Sequence, residues 1–267
     1  PVFALITATA SLGVAIKKVF TDFTEFDKAV SNAAAVTGAA GEEFKRLRQH
    51  IEEVSMALGE KTVFSASQAA DAFYFLASAG LDVSKITEEK LKPVLDLAAA
   101  TQSDLSSTTA TTIQVLSAFG LKFEETSRVA DVFTKAIGSS QANMEKLSIS
   151  MSYVAPVAKA AGLSLEETTA MLAKLYDAGL DGSKAGTMLR AVLARLSDTS
   201  EETRKALASV GLTVDDINPK YHSMDEILNN LAKSGMDLAL ANQIFGREAA
   251  AAAMILVSQR KSMAELR

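Results

Sequence analysis

The chain has 267 residues, 48% of them hydrophobic and 22% charged, with four prolines and no cysteine. That excludes a disulfide-stapled scaffold, a sulfur-ligated metal site, a thiolate nucleophile and a disordered tail. Its 27 basic and 32 acidic residues give a net charge of −5 with no Lys/Arg block, so sequence-specific or phosphate-driven nucleic-acid binding has no electrostatic footing.

Residues 1–16 form an uncharged, largely apolar run that ends at Lys17-Lys18. A secretory signal carries its positive charge before the apolar run and a membrane span needs about 20 apolar residues, so a buried helix is expected here. A first residue of Pro instead of Met suggests a piece of a longer chain, whose other parts could carry membrane segments. From Gly41, helical periodicity dominates: Phe44, Leu47, Ile51, Val54 and Leu58 recur at three- and four-residue steps toward Gly59. Four sites match the capping-box pattern, in which a hydroxyl and a later carboxylate or amide satisfy free backbone N–H groups reciprocally: Ser65/Gln68, Ser164/Glu167, Thr199/Glu202 and Ser223/Glu226. Gly80, Gly120, Gly138, Gly162, Gly179, Gly211 and Gly235 follow apolar periodic segments and are read as helix stops, where a left-handed residue costs least without Cβ. The β-branched stretch Thr108 to Val115 mildly disfavours helix, yet Leu105, Thr109, Thr112, Leu116 and Phe119 keep helical spacing.

Placing starts against stops predicts an all-α, compact multi-helix bundle of about a dozen helices. Residues 1–40 read as an N-terminal helical segment leading into a helical core domain over 41–267. A weak internal repeat runs through it. Gly-Leu-x-apolar-acid-acid occurs at Gly120, Gly162 and Gly211, and the segment Phe64 to Lys85 echoes Leu163 to Lys184. In that motif Gly ends one helix, the apolar pair packs inward, and the acids are placed in the next helix's first turn, facing its positive end.

The inventory for chemistry is thin. His50 and His222 are the two histidines and read as side chains on a helix face or loop, because acid–base catalysis needs a base oriented by a third group. The Glu pairs fall mostly at helix starts. Gly182 to Gly186 lacks the Gly-Lys-Ser/Thr order of a phosphate loop, and its Gly-x-x-x-Gly spacing lies too close to Ser183, Lys184 and Arg190 for a membrane helix pair. No catalytic, cofactor-binding or metal-ligating residue is assigned. Close packing is the content that remains at Gly182. The aromatic trio Phe73-Tyr74-Phe75 is read as a core plug between helices, and the nine apolar residues from Ala249 to Val257 as core or interface.

The order Phe64-Ser-Ala-Ser, Ala79-Gly-Leu81, Ala98-Ala-Ala-Thr101 and Asp104-Leu105 resembles the core region of phage tail tape measure proteins. The likeness sharpens at Ala118 to Leu121, Arg128 to Val132, Val154 to Ala158, Gly162 to Thr168 and, most specifically, Ala178-Gly-Leu-Asp-Gly182-Ser-Lys-Ala-Gly186-Thr-Met-Leu-Arg190. Ile244-Phe-Gly-Arg247 resembles the family's closing segment, so the likeness spans about Phe23 to Leu256; Ser197 to Thr199 and Asn218 to His222 depart from it. The resemblance implies a virion-tail protein, assembled in the host cytoplasm, that sets tail length and leaves the tail on infection to aid genome delivery. It implies tail tube, tip or hub proteins, assembly chaperones and sister copies as partners, and no catalytic residues. Alternatives weighed beside it are a membrane-active helical protein forming a channel and a cell-wall hydrolase domain. The expected contact surface joins Gly182, Ala185, Gly186 and Arg190 to Phe245, Gly246, Arg247 and Ala252, and a charge at Ala252 is expected to impair assembly while leaving the isolated fold intact.

Overall fold

Helix follows helix with no strand among the described residues, as the periodicity predicts. The computed structural model describes the backbone of residues 2–263 and the side chains of residues 18–261. Twelve α-helices are present among them: α1 (Val2–Ala35), α2 (Gly41–Lys61), α3 (Ala66–Ser78), α4 (Glu88–Ala100), α5 (Leu105–Phe119), α6 (Thr126–Ser139), α7 (Met144–Ala160), α8 (Leu165–Asp177), α9 (Gly182–Arg195), α10 (Glu201–Ala208), α11 (Met224–Lys233) and α12 (Leu238–Met263). Short 3-10 helices at Val83–Lys85, Phe123–Glu125 and Asp215–Ile217 join some of them. The burial expected for residues 1–16 lies outside the described side chains.

The chain forms two compact units, residues 1–113 and 114–267. In the first, α1 packs on α2 and α3, and α2 on α4. Its core holds Val30, Ile51, Phe73, Leu76, Leu91 and Leu95, all essentially sealed from solvent. Phe73 is thus the core plug expected of the aromatic trio, while Tyr74 beside it is exposed. In the second unit α8 is buried on nearly all sides, from Leu165 through Tyr176, and is covered by α6, α7, α9 and α12.

Local chemistry sets the boundaries. Ser65, Ser164 and Ser223 form reciprocal capping boxes with Gln68, Glu167 and Glu226. The fourth expected box is corrected by one residue: Ser200 caps α10 by accepting the Thr203 N–H, because Asp198 fixes it through the Ser200 N–H (2.9 Å). In the repeated motif, the leucine after each left-handed glycine reaches back to a carbonyl five residues earlier: Leu121 to Leu116 (2.8 Å), Leu163 to Ala158 (2.9 Å) and Leu212 to Leu207 (3.0 Å). The second acid then accepts the backbone N–H three residues before it, Glu125 from Lys122 (3.0 Å), Glu167 from Ser164 (3.1 Å) and Asp216 from Thr213 (2.7 Å). At Gly120 and Gly211 those acids lie in a 3-10 turn instead of an α-helix.

Gly138 is a second correction. It lies inside α6, which ends at Ser139 because the Ser140 hydroxyl takes the Ala136 carbonyl (2.7 Å) and Ser140 itself is extended. The β-branched α5 stays helical since its threonines satisfy their own helix: Thr108, Thr109, Thr111 and Thr112 donate to the carbonyls four residues back at 2.7–2.8 Å.

Candidate functional site

The most specific string of the sequence, Ala178 to Arg190, builds the contact between α7 and α9. Asp181 starts α9 by accepting the Lys184 N–H (2.8 Å), and that bond holds its carboxyl below the usual aspartate range. Gly182 and Gly186 then follow one turn apart on the buried face, with Ala185 between them. A Cβ added at Gly182 would stand 2.9 Å from the Cα and carbonyl oxygen of Lys146; at Gly186 it would stand 2.7 Å from those of Ser150. The two backbones therefore meet directly, closer than any side chain permits.

A buried polar relay pins this contact. The Ser150 hydroxyl donates to the Gly182 carbonyl (2.6 Å), and the Tyr176 hydroxyl donates to Ser150 Oγ (2.7 Å) with the Lys146 carbonyl at 3.1 Å. Tyr176 is fully enclosed, and burial pushes its phenol well above the ordinary tyrosine range, so it acts as a neutral donor. The Lys146 ammonium sits 5.5 Å over its ring and donates to the Gln141 carbonyl (2.8 Å), while Asp177 accepts the Gln141 N–H (2.9 Å). Ser150 and Tyr176 were not singled out from sequence; the only signal was Gly-x-x-x-Gly, which requires some backbone opposite and does not say which.

The other half of the expected surface lies on α12, which packs on α8, α9, α10 and α11. Gly246 interrupts this helix with φ 76° and ψ 163°, a backbone region that essentially only glycine occupies. A Cβ there would stand 3.8 Å from the Arg195 guanidinium. The structure brings α9 and α12 together, as packing at these residues implies, but places Gly182, Ala185, Gly186, Phe245 and Ala252 inside the unit. Arg190 and Arg247 are exposed, and Gly246 is half-buried. The reading of Ala252 is accordingly corrected. It has no exposed surface, so a carboxylate there strands a charge in apolar surroundings and is expected to destabilise the unit instead of sparing it.

His50 Nε2 lies 3.0 Å from the Ile86 carbonyl with its ring edge-on to Phe73, and His222 Nδ1 lies 3.8 Å from Glu226. Among the described residues no group of three His, Asp or Glu could hold a metal, and no helix is long and apolar enough to cross a membrane. Of the Glu pair at the start of α8, Glu167 caps Ser164 and Glu166 grips Arg128 of α6 in a two-point ion pair (2.6 and 2.9 Å). The Arg128 guanidinium, which also reaches Glu125 (3.1 Å), holds the Glu166 carboxyl below the usual glutamate range.

Comparison with known proteins matches residues 52–246 to the family described as phage-related minor tail protein. The chain is 39% identical over 194 residues to a tape measure protein of Pneumococcus phage Dp-1, covering 73% of this chain and 16% of that protein. It is 34% identical over 245 residues to a probable tape measure protein of Escherichia phage P2, covering 88% of this chain and 29% of that protein. The chain thus spans less than a third of either relative's length. No solved structure matches it.

Proposed function

This chain belongs to the phage-related minor tail protein family, and from that premise we propose that it is the compact helical part of a tape measure, the tail component whose extent sets tail length. The observation that carries the reading is the match over residues 52–246, which extends into both units and stops at the Gly246 break in α12. Helices that supply their own caps and a chain without a metal cluster among the described residues are compatible with a role in assembly. A rod of helix advances 1.5 Å per residue, so length elsewhere in such a parent chain converts linearly into distance while this part keeps a fixed size. Contacts with tube and tip or hub proteins, with assembly chaperones and with sister copies belong to the same proposal, as does release on infection to aid genome delivery.

The test is mass spectrometry of purified tails, counting peptides of residues 52–246 against the tube protein. The proposal expects a small, fixed copy number per tail, and tails that lengthen when helical residues are inserted elsewhere in the parent chain. Absence of these peptides from tails, or a tail length indifferent to such insertions, would overturn it.

A further inference from the structure

The glycine contact between α7 and α9 has a solvent side as well as a core side. Gly182 stands over Lys146 and Gly186 over Ser150, so the two helices run parallel in one register. Arg190 is the next residue of that α9 row and is therefore level with Val154 of α7. Val154 is buried in the core, whereas Ile149, Tyr153 and Pro156 are exposed along α7 and Arg190 is exposed on α9. Ile149 and Tyr153 leave 38% and 40% of their surface open. Because the two backbones meet with no side chain between them, these residues of both helices share one continuous face.

The charge at the centre of this face has one sign. From Leu147 to Ala158 α7 carries no charged residue, and from Ala185 to Ala194 α9 carries Arg190 alone. Beyond those limits, Lys159 adds a second positive charge past Pro156, and Asp181 is engaged in capping α9 and in pairing with Lys184 (3.7 Å). Glu145 stands more than two turns before Tyr153, roughly 12 Å along the axis. Neither the Arg190 guanidinium nor the Tyr153 hydroxyl has a hydrogen-bond or ion-pair partner among the described residues.

We propose that this face docks an acidic amphipathic helix of a partner protein, whose apolar side chains seat on Ile149, Tyr153 and Pro156. One of its carboxylates pairs with Arg190 and accepts the Tyr153 hydroxyl. This goes beyond the tail reading and does not depend on it. The experiment is fluorescence anisotropy of the 267-residue chain with two labelled model helices of about 18 residues, long enough to cover the face. They share one leucine face and carry glutamates on the flanks in one and lysines in the other. The chain's net charge of −5 by itself favours the lysine peptide, so a preference for glutamate reports a local site. The glutamate peptide binds at least tenfold more tightly than the lysine peptide and weakens as salt rises. Arg190→Gln abolishes that preference, Arg190→Glu reverses it, and Tyr153→Ser weakens both peptides. The two positions are exposed, so circular dichroism of each variant stays that of the parent. Equal binding of the two peptides, a preference for lysine, or indifference to Arg190→Glu overturns the proposal. So does a chain that sediments as a dimer and becomes monomeric on Tyr153→Lys, since a second copy would then cover the face.

Discussion

Ser65 to Lys85 in the first unit and Ser164 to Lys184 in the second begin with the same capping box, run through thirteen residues of helix and stop at the same Ala-Gly-Leu-Asp. They part at the next residue. In the first, Val83 drops into the core and the chain makes only a 3-10 turn before α4; in the second, Gly182 carries no side chain and α9 runs on for fourteen residues against α7. Where Tyr176 anchors α7 in the second hairpin, the first has Ala77. One hairpin therefore closes its core with a side chain, and the other with a backbone.

The comparison breaks most severely at Gly186→Val. A Cβ 2.7 Å from the Ser150 main chain forces α7 and α9 apart, and the expected loss is about 3 kcal/mol or more in urea unfolding. Hydrogen exchange will show the damage in α7 and α9 and leave α3 protected. Gly182→Val comes next, since it makes the second hairpin read Asp-Val-Ser-Lys as the first does. It is expected to cost about 2 kcal/mol, because the 2.9 Å approach to Lys146 leaves no room for the side chain that Val83 buries freely. An unchanged midpoint would mean that the glycine is not what separates the two hairpins.

Smaller effects test what the hairpins share. Ser65→Ala and Ser164→Ala each remove half of a capping box, and each is expected to lower stability by about 1 kcal/mol, by similar amounts in the two units. The smallest belongs to the second hairpin alone. Glu166 has its carboxyl lowered by Arg128, so the pair's contribution is present above the usual glutamate value of 4.5 and is lost as pH falls through the lower folded value. Since Arg128 is 42% exposed, the gain is at most about 1 kcal/mol, and Arg128→Leu should flatten that acid limb in pH-dependent melts by no more.

What could be read from the residues was whatever chemistry closes over three to five positions. Three capping boxes and six of the seven glycine stops are visible because donor and acceptor lie within one turn of each other. The displaced start at Ser200 turns on Asp198 choosing between two adjacent hydroxyl residues, and Gly138 is passed over because two serines behind it finish the helix. Gln102 occupies the left-handed position after α4 at φ 52°, with no glycine to announce it. The helix-pair site was half legible: Gly-x-x-x-Gly demands a close neighbour, but whether that neighbour is α7 or another molecule depends on contacts between distant parts of the chain.

The atoms that stand closest to a Cβ at Gly182 or Gly186 are main-chain atoms of Lys146 and Ser150, with the Ile149 Cβ next at Gly182, and this shapes the genetics of the site. A clash between two side chains can be suppressed by shrinking the second, giving a compensating pair of alleles. Here every residue that α7 could carry at 146 or 150 keeps the same Cα and carbonyl. Revertants of Gly186→Val selected for stability should therefore restore a small residue at 186 itself, or stabilise the unit globally from elsewhere, and none should be an allele-specific suppressor at 146 or 150.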